Sequence, residues 1–237
     1  LKEITKLTVP SGSEEDFAQK YLFDMERDEI GNRFVSIGQS NTAFCAHIDD
    51  VSPSVSNVRQ LFDGRFLRSD GNTILGGDDK CGVALLLHMI QARKPGKYLF
   101  FVQEETGHHG SLYFRQHSMD FLAGVSKIVA FDRKGYSSVV VRQGSITASS
   151  EFAMQLISGF GSEGLYFYAD DTGISSDTVS FMDAIPECVN ISTGYFRAHS
   201  PLEYCDTLFL EHLARAAVSI DFDNMRTHRE PASRLGC

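Results

Sequence analysis

His47, Asp49, Asp78, Asp79, Glu104, Glu105, Asp132 and His199 are the residues of this sequence best suited to carry chemistry. They occur in short clusters: His47-Ile48-Asp49-Asp50, Gly76-Gly77-Asp78-Asp79-Lys80, Gln103-Glu104-Glu105, a separate Asp132, and His199-Ser200-Pro201-Leu202-Glu203. Carboxylates gathered in one cleft repel, and one of them must protonate unless a cation neutralises the group. A divalent metal supplies that counter-charge. Imidazole mixed with carboxylate suits zinc, with manganese or cobalt as alternatives, and the lack of a CxxC pair argues against a structural zinc site. A carboxylate bridging two ions would leave an open position, where a shared water could ionise near neutral pH and attack a carbonyl. A carboxylate not spent on metal would take that water's proton and pass it to a leaving amine. The Glu104-Glu105 pair offers one acid for each task.

Each cluster alone has a blander reading. Asp78-Asp79 could cap a helix, Glu104-Glu105 could sit in a solvated loop, and Asp132 could open a turn with Arg133-Lys134-Gly135. Their placement against the elements of the chain favours the joint reading. Runs rich in aromatic and β-branched residues predict strands at Arg33–Ile37, Ala43–Ala46, Tyr98–Val102, Lys127–Phe131, Ser137–Val141, Leu165–Tyr168 and Cys188–Ile191. Three of these strands run directly into His47, Glu104-Glu105 and Asp132, where an open α/β sheet places its ligands. Helical spacing of apolar residues predicts an opening helix through Phe17, Tyr21, Leu22 and Met25, capped by Ser13, and helices at Gly82–Gln91, Ser111–His117, Glu151–Ser158 and Thr207–Ile220. This alternation points to an α/β three-layer sandwich with a central mixed, mostly parallel sheet flanked by helices. Residues 1–237 read as a single domain ending in a polar tail, residues 223–237, expected to be loose at its end.

The composition narrows the classes. A chain of 237 residues with 42% hydrophobic content can bury a core, and a formal charge of −9 argues against binding nucleic acid or an anionic membrane. No apolar run approaches the roughly 20 residues of a membrane helix, and no leader is read at Leu1, so a cytoplasmic protein is expected. Cys45, Cys81, Cys188, Cys205 and Cys237 read as packed thiols of a reducing compartment. Asn190-Ile191-Ser192 falls in a predicted strand, which makes the glycosylation sequon a chance match. Gly159-Phe160-Gly161-Ser162-Glu163-Gly164 follows a helix and precedes a strand, the reverse of a dinucleotide fingerprint.

The ordered set of motifs resembles the clan of co-catalytic di-zinc exopeptidases that includes peptidase T, the glutamyl aminopeptidases and the bacterial leucyl aminopeptidases. The likeness runs through Pro10-Ser11-Gly12, Ile30-Gly31-Asn32, Ala46-His47-Ile48-Asp49, Leu75-Gly76-Gly77-Asp78-Asp79-Lys80, Val102-Gln103-Glu104-Glu105-Thr106-Gly107, Ser176-Asp177 and His199-Ser200-Pro201-Leu202-Glu203. By that resemblance Asp78 is the bridging ligand, His47 and Asp132 hold one ion, and Glu105 and His199 hold the other. Glu104 becomes the general base and acid, Asp49 orients His47, and the Asp78-Asp79 peptide is cis. The implied activity is metal-dependent hydrolysis of short peptides, most plausibly from the amino end, by a hydroxide bridging two divalent ions. The same site would serve an N-acyl amino acid deacylase, and a silent metal-binding or assembly module is a third reading.

The lid or dimerisation insertion and the small β-domain insertion of these relatives do not fit. Only 66 residues separate Asp132 from His199, and 30 separate His47 from Asp78. The resemblance therefore implies a bare catalytic domain. Outside the motifs, Arg197 and His108 are candidate substrate contacts, while Asp79 and Asp177 are candidates to support the ligands from behind. A homo-oligomer is compatible with the sequence, which does not specify one.

Overall fold

Thr42–His47, six consecutive buried residues, marks the centre of a sheet covered on both faces. The computed structural model describes residues 1–231. In chain order the elements are α1 (Glu15–Tyr21), β1 (Glu26–Arg27), β2 (Arg33–Ile37), β3 (Thr42–His47), β4 (Gln60–Phe62), β5 (Phe66–Ser69), α2 (Gly77–Gln91), β6 (Gly96–Phe101), α3 (His109–His117), β7 (Lys127–Arg133), β8 (Ser138–Val140), β9 (Arg142–Gln143), β10 (Ser145–Ile146), α4 (Ser150–Ser162), β11 (Tyr168–Asp170), β12 (Glu187–Ser192), β13 (Tyr195–Phe196), β14 (Tyr204–Asp206) and α5 (Thr207–Ser219). Two 3₁₀ turns, Met119–Leu122 and Asp177–Phe181, complete the set.

The main sheet has the order β1-β2-β6-β3-β7-β12-β8-β11. Its core pairings, β6 with β3, β3 with β7 and β7 with β12, are parallel, as is β8 with β11. The pairs β1 with β2, β2 with β6 and β12 with β8 are antiparallel. The mixed, mostly parallel sheet expected from the alternation of elements is thus present. Period-two side-chain alternation splits the core across it. Phe44, Ala46, Tyr98, Phe100, Val129 and Phe131 face the core shared with α2, α4 and α5, whereas Ala43, Cys45, Leu99, Phe101, Ile128 and Ala130 face α3 and the two 3₁₀ turns. Three layers result.

Several local expectations give way to tertiary contacts. Ser13 does not cap α1; the N-cap is Glu14, which makes no capping bond because its buried carboxylate accepts the Gln103 amide at 3.0 Å. Leu165 and Phe167 are buried in the core without ladder partners, and the strand begins only at Tyr168. The tail is pinned through its described part. Asp223 accepts from Ser40 and Thr42, and Arg229 donates to the Met182 and Ile185 carbonyls at 2.6 and 2.7 Å. Residues 232–237, including Cys237, lie outside the described residues. The four other cysteines are buried and free, as read from their apolar settings. No helix among the described residues is long and apolar enough to cross a membrane.

A second, four-stranded antiparallel sheet of order β13-β14-β5-β4 has no counterpart in the sequence reading. Its short strands are mostly solvent-facing on one side, so the apolar runs that signal a strand are weak. It ties the segment between His47 and Asp78 to the hairpin that carries His199.

Helix α2 delivers Asp78 to the sheet, and Gly82 sets how closely it approaches. A Cβ at Gly82 would lie 2.2 Å from the Phe131 carbonyl oxygen and 2.5 Å from Asp79 Oδ2. Only glycine permits this contact of helix and strand. Gly82→Ala is expected to lower stability by about 1–3 kcal/mol or more, read as a reduced urea midpoint at unchanged m-value. A wild-type midpoint would show that α2 can shift freely.

Candidate metal centre

In the sheet β3 lies between β6 and β7, and all three run parallel, so their carboxyl ends share one edge. His47 closes β3, Glu104 and Glu105 follow β6, and Asp132 stands near the end of β7. The non-helical first residues of α2 bring Asp78, and the β13–β14 hairpin brings His199. The Asp78–Asp79 peptide is cis.

The two carboxylate oxygens of Asp78 face different imidazoles. Oδ1 lies 3.3 Å from His47 Nε2, and Oδ2 lies 3.2 Å from His199 Nε2. Asp132 Oδ1 is 3.5 Å from His47 Nε2, and Glu105 Oε1 is 2.9 Å from His199 Nε2. The ligand atoms of Asp78, Glu105 and His199 all fall within 4.8 Å of one another, as do those of His47, Asp79 and Asp132 and those of His47, Glu104 and Glu105. A cavity of about 410 Å³ opens over the group and is also lined by Arg133, Lys134, Asn190, Tyr195 and Arg197.

The donor set fits divalent metal on two observations. Glu105 Oε1 is buried without a hydrogen-bond partner, although His199 Nε2 is near, so these atoms meet without the alignment of a hydrogen bond. An oxygen orphaned among other ligand atoms is what a shared cation would satisfy. The electrostatics agree. Burial pushes Asp132 well above the usual carboxylate range despite its contact with His47, and burial also raises Glu105. Burial would raise Asp78 as well, but its bonds to His199 and His47 hold it well below the usual range. His199, whose ring faces the Asp78 and Glu105 carboxylates, is pushed up to about 10 by them.

The supporting residues divide differently from expectation. Asp49 does meet His47 Nδ1, but the nearer atom is its backbone carbonyl at 3.0 Å, with carboxylate Oδ1 at 3.5 Å. The Asp49 carboxylate accepts the Ser11 hydroxyl at 2.5 Å, the Glu104 amide at 3.0 Å and the Glu105 amide at 3.3 Å. Asp79 accepts the Gly82 amide at 3.0 Å and the His47 amide at 3.4 Å, so it caps the regular part of α2 and pins the end of β3. Asp177 is buried at the start of its 3₁₀ turn without making a cap bond. Burial and the charge of Glu104 push it up to about 7. Arg197 is exposed at the rim of the cavity. His108 does not line that cavity; its Nε2 stands 3.1 Å from Glu104 Oε1.

Sequence reasoning missed three supports. Glu203, 1% exposed, accepts the amides of Leu75, Gly76 and Asp78 at 3.1, 2.7 and 3.0 Å and so fixes the loop that presents Asp78. Its place in the His199–Glu203 cluster was the available signal. Asn190 accepts the Asp132 amide at 3.0 Å and donates to Asp132 Oδ2 at 3.2 Å, while Tyr195 donates to the Asp132 carbonyl at 2.8 Å. Nothing short of strand register identifies those two.

The Asp78 and Glu105 carboxylates push His199 up to about 10, so a cation taken up at its Nε2 would displace a proton at neutral pH. Zinc titration in weak buffer at pH 7 is expected to release at least one proton per chain, and the His199 share should vanish on His199→Ala. His47→Ala is expected to lower the number of ions bound at equilibrium dialysis. Two ions held with unchanged affinity by that variant would remove His47 from the ligand set.

No family model matches the chain. The curated protein YqjE of Bacillus subtilis (strain 168), described as uncharacterized, is 34% identical over 71 residues, and the match spans 30% of this chain but only 16% of that protein's length. Among solved structures, aminopeptidase PepT of Bacillus cereus ATCC 10987 aligns with a TM-score of 0.78 at 15% identity, covering 93% of this chain and 96% of that one. A tripeptidase of Staphylococcus aureus aligns with a TM-score of 0.73 at 16% identity, covering 91% and 94%. At such identities the likeness establishes the fold: over nearly its whole length the chain has the fold of these peptidases.

Proposed function

We propose that residues 1–237 form a two-metal peptidase domain that removes residues from the amino end of short peptides. One observation carries the reading: the two oxygens of Asp78 each face a separate imidazole, with one further carboxylate at each. That arrangement suits a bridging carboxylate between two divalent ions, with zinc favoured by the donor types and manganese or cobalt as replacements. The fold shared with an aminopeptidase and a tripeptidase supports the same reading.

Two bound ions would polarise the scissile carbonyl and lower the pKa of a water at the site. Glu104, beside Glu105 and lining the same cavity, accepts the water's proton on its carboxylate and returns it to the nitrogen of the leaving amine. Asp49 holds the backbone of both glutamates, so the proton carrier and the ligand keep a fixed spacing. Glu203 holds the Asp78 loop, and Asn190 with Tyr195 holds the Asp132 segment. Arg197 at the rim offers a cation to a substrate carboxylate.

Glu104→Gln is expected to retain metal, measured by elemental analysis, while kcat on free-amino tripeptides falls on the order of 10²-fold or more. Chelation should abolish turnover and added zinc should restore it. Hydrolysis confined to amino-blocked substrates would replace the aminopeptidase reading with a deacylase, and metal binding without turnover on either panel would leave a binding module.

A further inference from the structure

His108 lies four residues beyond Glu104 and precedes α3 in the left-handed region, at φ 57° and ψ 32°. Such a backbone is uncommon for a residue with a side chain. Here it belongs to a tight wrap around Glu104: the amides of Gly107 and His108 both donate to the Glu104 carbonyl at 2.9 Å. The wrap turns the imidazole back so that Nε2 stands 3.1 Å from Glu104 Oε1. Both side chains are largely shielded, at 23% and 12% exposure, which strengthens the attraction between the ring and the carboxylate. Glu104 lines the metal-centre cavity, whereas His108 lines a different one with Leu112, Arg115 and Ser180. The charges of Asp177 and Asp132 also act on His108 and favour a proton on its ring.

We propose that His108 is a positioning residue for Glu104: its Nε2–H donates to Oε1 and leaves Oε2 as the oxygen that carries the proton. A carboxylate held at one oxygen cannot rotate away from the reacting water, and its conformational freedom is removed before the substrate arrives. This inference rests on Glu104 being the proton carrier.

Asparagine tolerates the left-handed backbone but is too short to reach Glu104, whereas glutamine places an N–H donor near the position of Nε2. His108→Asn is therefore expected to fold and bind metal normally, and to lose about 10- to 100-fold in kcat with KM within about twofold of wild type. His108→Gln should recover most of that loss. A signal independent of turnover is the His108 Nε2 resonance in long-range ¹H–¹⁵N spectra of the metal-free protein, assigned by its absence in His108→Asn. It should shift in Glu104→Gln and stay in place in the control Glu211→Gln, on the exposed face of α5. Wild-type kcat in His108→Asn, or a raised KM at unchanged kcat, would overturn the proposal. If Glu104→Gln itself retains full turnover, the assignment of Glu104 fails instead, and the resonance shift still reports whether the two side chains are bonded.

Discussion

Repulsion among buried carboxylates is the constraint on which the rest of this structure depends. Asp49, Asp50, Asp78, Asp79, Glu104, Glu105, Asp132 and Glu203 all gather at one edge of the sheet, and few are well exposed. The chain divides them by the partners it supplies. Asp49, Asp79 and Glu203 each accept two or more backbone amides, Asp49 also the Ser11 hydroxyl, and Asp50 meets Lys80 at 2.6 Å in a fully buried pair. Asp78, Glu105 and Asp132 receive mainly imidazoles. Identical side chains thus serve two ends: those satisfied by amides hold the scaffold, and those left short of donors form the centre.

The scaffold acids act at the points where loops leave regular elements. Glu203 grips the turn before α2 from a segment more than a hundred residues later in the chain, and Asp79 locks the first regular turn of α2 to the end of β3. The small second sheet serves the same purpose, since pairing of β14 with β5 carries the His199 hairpin against the Asp78 loop. His199 remains half exposed, the most open of the five ligand candidates, and it stands on the cavity's outer wall. One side of the centre is therefore set rigidly by strand ends and the other by a hairpin at the surface.

Legibility in the sequence follows the range of the forces involved. Strands β2, β3, β6, β7 and β12 and helices α2, α3, α4 and α5 were readable because their side chains are patterned by burial on a regular period. The strand expected at Leu165–Tyr168 was misplaced because its apolar residues fill space below α4 rather than join a ladder. Ser13 satisfied the local preference for a helix cap, yet the long-range bond from Gln103 to Glu14 decided that terminus. Polar composition suggested a tail loose at its end, which lies outside the described residues; the start of the tail is tied by the Ser40 hydroxyl to Asp223 and by Arg229 to the Ile185 carbonyl.

By itself the sequence determined the kinds of group available, their order, and their position after strands that must be parallel neighbours. Residue type and hydrophobic period are local properties, and they sufficed for the layered fold and for placing the acidic and imidazole clusters at the ends of strands and helices, whereas the choice of His47, Asp78, Glu105, Asp132 and His199 among them came from the resemblance to the di-zinc exopeptidases. Only the tertiary structure decided what each polar group touches. It gave Asp49 to the backbone of the glutamates, Glu203 to the Asp78 loop and Asn190 to Asp132. Hydrogen bonds act over about 3 Å, whereas these partners lie up to 128 residues apart in the chain, so their pairing depends on a register that no local pattern encodes.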